Sequence, residues 1–267
     1  MRTDARRRRR GAALTAALLL AALAGAGASA AKEESAEQPK EGADWQSWHV
    51  NNDAADLASV QRGARNFVSH CLGCHSLKYE RWSRLGADLN IPPTLLQQAL
   101  LPPGDKATEY IQTSMPAADA ADWFGKTPPD LSLMARARGP DYLYQMLKTF
   151  YVDPTRQTGA NNLRLPTIAM PDVLSPLAGL KRAVFRDEIN AAGAHEQVFD
   201  HFEQLAPGSM SAAEYDGFVR DTVNFLDYVS EPTQTARRAL GVWVVLFLLA
   251  FTWLAWLVKR EYWKDVH

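Results

Sequence analysis

Only two cysteines occur in this chain, and both stand in one five-residue run, Cys71-Leu72-Gly73-Cys74-His75. A Cys-x-x-Cys-His run is the attachment pattern of a covalently held c-type haem. On a helical turn, positions i, i+3 and i+4 share a face. Two thiols so placed add to the two vinyl groups of one porphyrin while the imidazole takes one axial position of the iron. Competing chemistries fit less well. A structural zinc takes four ligands, commonly several of them cysteine, and no second cysteine pair exists here. A thioredoxin-like dithiol belongs in a βαβ setting, whereas the residues before Cys71 carry a helical pattern. The run occurs once, so one haem c is expected.

That helical pattern is explicit. Leu57, Val60, Ala64, Phe67, Val68 and Cys71 recur at helical spacing, which predicts an amphipathic helix ending at the attachment run. Asp53 or Asp56 is placed to cap it, and Gly63 lets another helix approach closely at some cost in helix stability. His70 points off the haem face and reads as surface. Upstream, residues 31–44 are rich in Lys, Glu, Gln, Ser and Ala without apolar periodicity and read as a solvated tether. The folded part begins at Trp45 and Trp48 and extends to residue 232.

Two segments speak of membranes. Residues 1–30 combine a charged start, an Ala/Leu stretch from Leu14 to Leu23 and Ala28-Ser29-Ala30. This is a secretory leader cleaved after Ala30, with an uncleaved anchor as the alternative. Ala239 to Val258 is a run of twenty residues without a charge, about 30 Å as a helix, which matches the hydrocarbon thickness. Trp243, Trp253, Trp256, Tyr262 and Trp263 supply interfacial aromatics. Flanking cations are nearly balanced, so the leader sets the orientation: haem domain in the periplasm, residues 259–267 inside, and a single pass through the cell membrane. The leader holds six arginines and one aspartate, which leaves residues 31–236 with 18 basic and 27 acidic residues. Such a surface argues against nucleic acid and would steer a basic partner.

Between these segments, prolines divide the chain into short helices and loops. A helix is expected at Leu95 to Leu101, another at Asp130 to Arg138, and a third at Asp141 to Tyr151, where Leu143, Met146, Leu147 and Phe150 form one stripe. Asp153 to Pro171 shows no sustained periodicity and reads as a long loop. Val184-Phe185 and Val198-Phe199 flank a polar, glycine-containing stretch, and a small hairpin is one reading of 183–202. Ser211 and Glu214 form a capping box for a helix through Val229, ended by Pro232. The fold class is therefore mainly α, a cytochrome c-like haem domain with loop insertions and room for a small β-hairpin, plus one C-terminal transmembrane helix.

The sixth iron ligand decides between electron transfer and ligand chemistry. Methionine paired with histidine gives an electron carrier of raised potential. Met134 and Met146 fit helical stripes, where methionine is usually core, and Met210 precedes a helix. Met115 and Met170 both precede proline in loops, and spacing alone leaves the two open. Met170 lies in the long irregular segment, between Pro166 and Pro171, which exclude helix there.

The order of these runs carries a resemblance. Arg62-Gly63-Ala64 is followed by Cys71-Leu72-Gly73-Cys74-His75-Ser76, Pro128-Pro129-Asp130-Leu131-Ser132, Asp141-Tyr142-Leu143-Tyr144, Ile168-Ala169-Met170-Pro171 and one terminal span. Over essentially the whole mature chain this resembles the cytochrome c1 subunits of bacterial bc1 complexes. The resemblance implies that Met170 is the sixth ligand beside His75 and that Pro128-Pro129 lines the haem crevice. It further implies that Arg138 and Tyr142 hold a haem propionate, with Arg136 as the alternative to Arg138. By the same resemblance, the chain accepts an electron from the Rieske iron-sulfur protein and passes it to a cytochrome c, beside cytochrome b, within ubiquinol:cytochrome c reductase. No catalytic site of its own is expected. A subunit of another membrane oxidase or dehydrogenase shares the generic features, and a haem peroxidase would need an open axial position.

Overall fold

The computed structural model describes residues 41–189 and 193–265; the expected leader and most of the expected tether lie outside them. In chain order the elements are α1 (Leu57–His70), β1 (Leu77–Arg81), α2 (Trp82–Asp88), α3 (Pro93–Ala99), β2 (Tyr110–Ile111), α4 (Ala117–Phe124), α5 (Met134–Arg138), α6 (Pro140–Lys148), β3 (Phe150–Val152), β4 (Ala160–Asn162), α7 (Ser175–Ala178), β5 (Gly179–Ile189), β6 (His195–Pro207), α8 (Ala212–Ser230) and α9 (Gln234–Tyr262). The strands form three antiparallel pairs, β1 with β2, β3 with β4 and β5 with β6. The architecture is mainly helical with short strands and one long apolar C-terminal helix.

The pair α1 and α8 is the spine. Asp56 caps α1, its carboxylate accepting from Ser59 N at 3.1 Å. Val60, Ala64 and Phe67 are fully buried on its apolar face, against Val219, Val223 and Phe225 of α8. Gly63 is where the two backbones meet. A Cβ there would lie 2.0 Å from the carbonyl oxygen of Asp221. Polar residues then fix the register. Arg62 grips the Asp221 carboxylate with two bonds of 2.5 and 2.9 Å, and Ser59 donates to it at 2.6 Å. The capping box expected at Ser211 and Glu214 starts α8.

Around this spine α2, α3, α6 and β1 complete the main core through Trp82, Leu85, Leu96, Leu143 and Leu77. A second, smaller core gathers Phe150, Ala160 and Ile168, with Met146 and Met170 packed against it. Residues 41–44, within the expected tether, are tied to the hairpin: Phe202 N donates to Glu41 O at 2.8 Å. The hairpin itself is longer than 183–202, pairing from Gly179 with Pro207 to Ile189 with His195.

Three local expectations need correction. The helix expected over Asp141 to Tyr151 stops at Lys148, because Phe150 to Val152 pair with Ala160 to Asn162. Helix over Asp130 to Arg138 is confined to Met134–Arg138, since Asp130 instead turns the chain by accepting from Ser132 N at 3.0 Å. His70 is half-buried, edge-on to the Phe218 ring at 5.2 Å between centroids.

Among the described residues α9 is the one helix long and apolar enough to cross a membrane. Its large apolar side chains, from Leu240 to Trp256, are exposed. Only Glu231, Pro232 and Thr233 separate α8 from α9. Glu231 accepts from Arg237 at 2.6 Å and pairs with Arg136 at 3.7 Å.

Candidate haem site

The attachment run is a continuation of α1. Cys71 N donates to Phe67 O at 2.8 Å, and His75 N donates to Cys71 O at 2.8 Å, a bond of helical i to i−4 type. The two thiols and the imidazole thus come from one turn. Burial, with a smaller contribution from Cys74, pushes the Cys71 thiol up to about 12; burial also raises Cys74. Both are free of any disulfide, so both sulfurs are available for thioether bonds.

His75 is 8% exposed, and its Nδ1 lies 2.7 Å from the carbonyl oxygen of Pro129. A carbonyl only accepts, so Nδ1 carries the proton and Nε2 is left with its lone pair, the arrangement of an axial imidazole. Burial lowers the His75 pKa, opposed by the Pro129 bond and by Asp130. The imidazole is therefore neutral and ready to donate. No group of three or more His, Cys, Asp or Glu able to hold a metal occurs among the described residues. The donor set fits a covalent haem and does not fit a bare metal ion.

The segment after Pro129 is laced to the strand after His75. Leu131 N donates to Ser76 O at 2.9 Å, Lys78 N to Asp130 Oδ2 at 2.8 Å and Tyr79 N to Ser132 Oγ at 3.2 Å. Pro128-Pro129 thus has a definite duty. Two residues without N–H groups bring a free carbonyl to the imidazole, and Asp130 and Ser132 lock it there.

The methionines part company in space. Met115 is on a segment tied to the attachment run, since Thr113 donates to Gly73 O at 2.8 Å and accepts from Met115 N at 3.2 Å. Met170 is half-buried in the second core, against Phe150, Ala160 and Ile168. Its loop is built rather than slack. Asn162, 1% exposed, accepts at Oδ1 from Arg164 N and Leu165 N at 2.9 and 3.0 Å and donates to Met146 O at 2.7 Å. Asn161 accepts from Thr167 N at 2.9 Å, holding Thr167 at φ +64° three residues before Met170.

Arg138 and Tyr142 come together on one cavity of about 500 Å³, lined also by Trp45, Asp141, Gln145 and Arg164. The Arg138 guanidinium is 5.7 Å from the Tyr142 ring centre and that of Arg164 is 4.7 Å from it. Arg136 is not in the cavity lining and pairs with Glu231 instead. Arg164 is the residue that sequence reasoning missed. It sits alone in an aperiodic loop, and no spacing marks it.

Comparison with known proteins agrees with this chemistry. The profile of the Cytochrome C1 family matches residues 103–266, which include Pro128-Pro129, Met170 and α9. A cytochrome c1 of Allochromatium vinosum is 45% identical over 218 residues, 82% of this chain and 88% of that one. A protein of Nitrosomonas europaea named ammonia monooxygenase gamma subunit is 40% identical over 80% of this chain and 86% of its own. A cytochrome c1 of Rhodospirillum rubrum is 29% identical over 84% and 87%. Matched by the family profile over residues 103–266 and 45% identical to a named member over 218 residues, the chain belongs to the cytochrome c1 family, electron-transferring subunits of the bc1 complex that carry one covalently bound haem c.

Proposed function

We propose that this chain takes an electron from the Rieske iron-sulfur protein and hands it to a cytochrome c, docked beside cytochrome b in ubiquinol:cytochrome c reductase, with its haem domain in the periplasm and α9 as a single-pass anchor. The observation that carries this reading is the bond of 2.7 Å between His75 Nδ1 and Pro129 O. It leaves Nε2 aimed for axial ligation in a buried, water-poor setting. Cys71 and Cys74 would hold the haem by thioethers, His75 and Met170 would ligate its iron, and Arg138 with Tyr142 would receive a propionate. The haem supplies reversible one-electron exchange; the chain supplies position, burial and charge.

Several features support the finer points. The segment named in the resemblance, Pro128-Pro129, is the one that meets His75. Thioether, thioether and imidazole from one helical turn fix the proximal side rigidly, so little reorganisation accompanies a change of charge at the iron. An iron held by both His75 and Met170 would suit electron transfer. The excess of acidic residues over 31–236 suits a basic acceptor, by steering encounter more than by adding affinity. The twenty-residue uncharged run sits inside α9 with cations at both ends; a single helix offers no quinone site, so quinol oxidation belongs to a partner.

Detergent extraction of the tagged full chain from native membranes tests the assignment. Cytochrome b and a Rieske protein should co-purify, and the haem c should be reduced by quinol through them. Recovery with a monooxygenase and without cytochrome b would assign the chain to the assembly suggested by the name of its Nitrosomonas relative.

A further inference from the structure

We infer that Arg164 is a second cation for the haem propionates, standing with Arg138 against the Tyr142 ring, so that both carboxylates of the macrocycle are met by arginine. The inference rests on the reading that this cavity receives the propionate edge. Two guanidinium groups stand against one phenol ring, at 5.7 and 4.7 Å from its centre, and all three residues line the same cavity. Neither arginine has a carboxylate within 4.0 Å among the described residues, although most arginines of the folded part do.

The acid that lines the cavity is already engaged. Asp141 accepts from Val50 N at 2.8 Å and binds His49 Nδ1 at 2.7 Å. Gln145 is likewise consumed, donating to Gln46 O and Trp48 O at 3.1 and 2.9 Å. What remains unpaired in the cavity is positive charge, twice. The complementary ligand is a dianion of two carboxylates, and guanidinium is the side chain best shaped to bind them.

Arg164 is also placed, not merely present. Its backbone N donates to the buried Asn162 side chain, which is anchored in turn to Met146 O on α6. The same loop continues six residues on to Met170. One segment therefore carries both the propionate cation and the proposed sulfur ligand.

A cation beside the propionates disfavours ferric haem relative to ferrous. In the purified holo-complex, Arg164→Gln should lower the haem c midpoint several-fold in the one-electron equilibrium, with each tenfold worth about 59 mV. It should also extend the pH dependence of the midpoint upward, as an uncompensated propionate binds its proton more tightly. Arg164→Lys should restore most of the shift. Arg164→His decides the matter if the glutamine variant does not retain haem. It holds the charge below about pH 6.5 and loses it above, so its midpoint should gain an extra fall across that pH. A midpoint and pH profile unchanged in Arg164→Gln, or no extra fall in Arg164→His, while Arg138→Gln moves both, overturns the inference and leaves the cavity reading standing. If neither Arg138→Gln nor Arg164→Gln moves the midpoint, the cavity is not the propionate site and both readings fall.

Discussion

Gly63 of α1 lies against the backbone of Asp221 in α8 with no room for a methyl group: a Cβ added there meets the Asp221 carbonyl oxygen at 2.0 Å and Phe225 Cβ at 2.6 Å. Gly63→Ala forces the two helices apart in the middle of α1, eight residues before Cys71. Overpacking of this kind costs about 1–3 kcal/mol, against a gain of about 1 kcal/mol in helix propensity. The upper end applies because the obstacle is backbone. The variant should melt several degrees lower in thermal denaturation of the holoprotein, and melting indistinguishable from the parent would show that α8 yields.

Glu80 of β1 is 4% exposed, and its Oε1 has no hydrogen-bond partner. Burial raises its pKa to about 7, with Arg84 opposing and Asp88 adding. An acid whose folded pKa exceeds its unfolded value of about 4.3 subtracts stability as pH rises between those two values, since unfolding then releases a proton. Glu80→Gln should therefore match the parent near pH 4 and exceed it by roughly 1–2 kcal/mol above pH 7, discounted for partial solvent screening. Denaturant titrations at the two pH values check this; an equal difference between the two proteins at both pH values would mean that folding does not raise the Glu80 pKa.

Asp216 behaves in the opposite sense. Burial alone would raise its pKa, but Lys148 at 2.5 Å, Tyr144 and Arg220 at 2.7 Å hold it at about 2. Its contribution is present above the unfolded value of about 3.9 and lost as pH falls toward 2. Asp216→Asn should be less stable than the parent from pH 5 to 7 and should lose less on further acidification. Identical acid limbs would remove Asp216 from the account.

Met170→Leu keeps the volume and apolar character of the side chain in its core with Phe150 and Ile168 but removes the sulfur. The sulfur-to-iron charge-transfer band of the ferric protein should vanish and the midpoint should fall by more than about 60 mV, tenfold in the one-electron equilibrium. Met115→Leu should change neither. The reverse pattern would transfer the sixth ligand to Met115.

What was legible in the sequence follows from what is local. The α1 stripe and the Ser211 to Glu214 box are short-range patterns that appear as read, and of the two caps offered, Asp53 and Asp56, the structure uses Asp56. Phe150 misled because it stands three residues beyond Leu147, in step with the stripe; only its pairing with Asn162, set by contacts twelve residues away, removes it from the helix. The length of the hairpin was hidden because both strands are largely exposed and so lack clean alternation. At the site, the proximal run declares itself by chemistry that tolerates no other spacing. Arg164 does not, since its meaning comes from Tyr142 and Arg138, which only the fold brings to it.

The short joint between α8 and α9, pinned where Glu231 meets Arg237 and Arg136, bears on who travels. Three residues, one of them proline, give the haem domain little swing about its anchor. On the proposed reading, a donor and an acceptor would then come to this chain, which would serve them as a fixed landing.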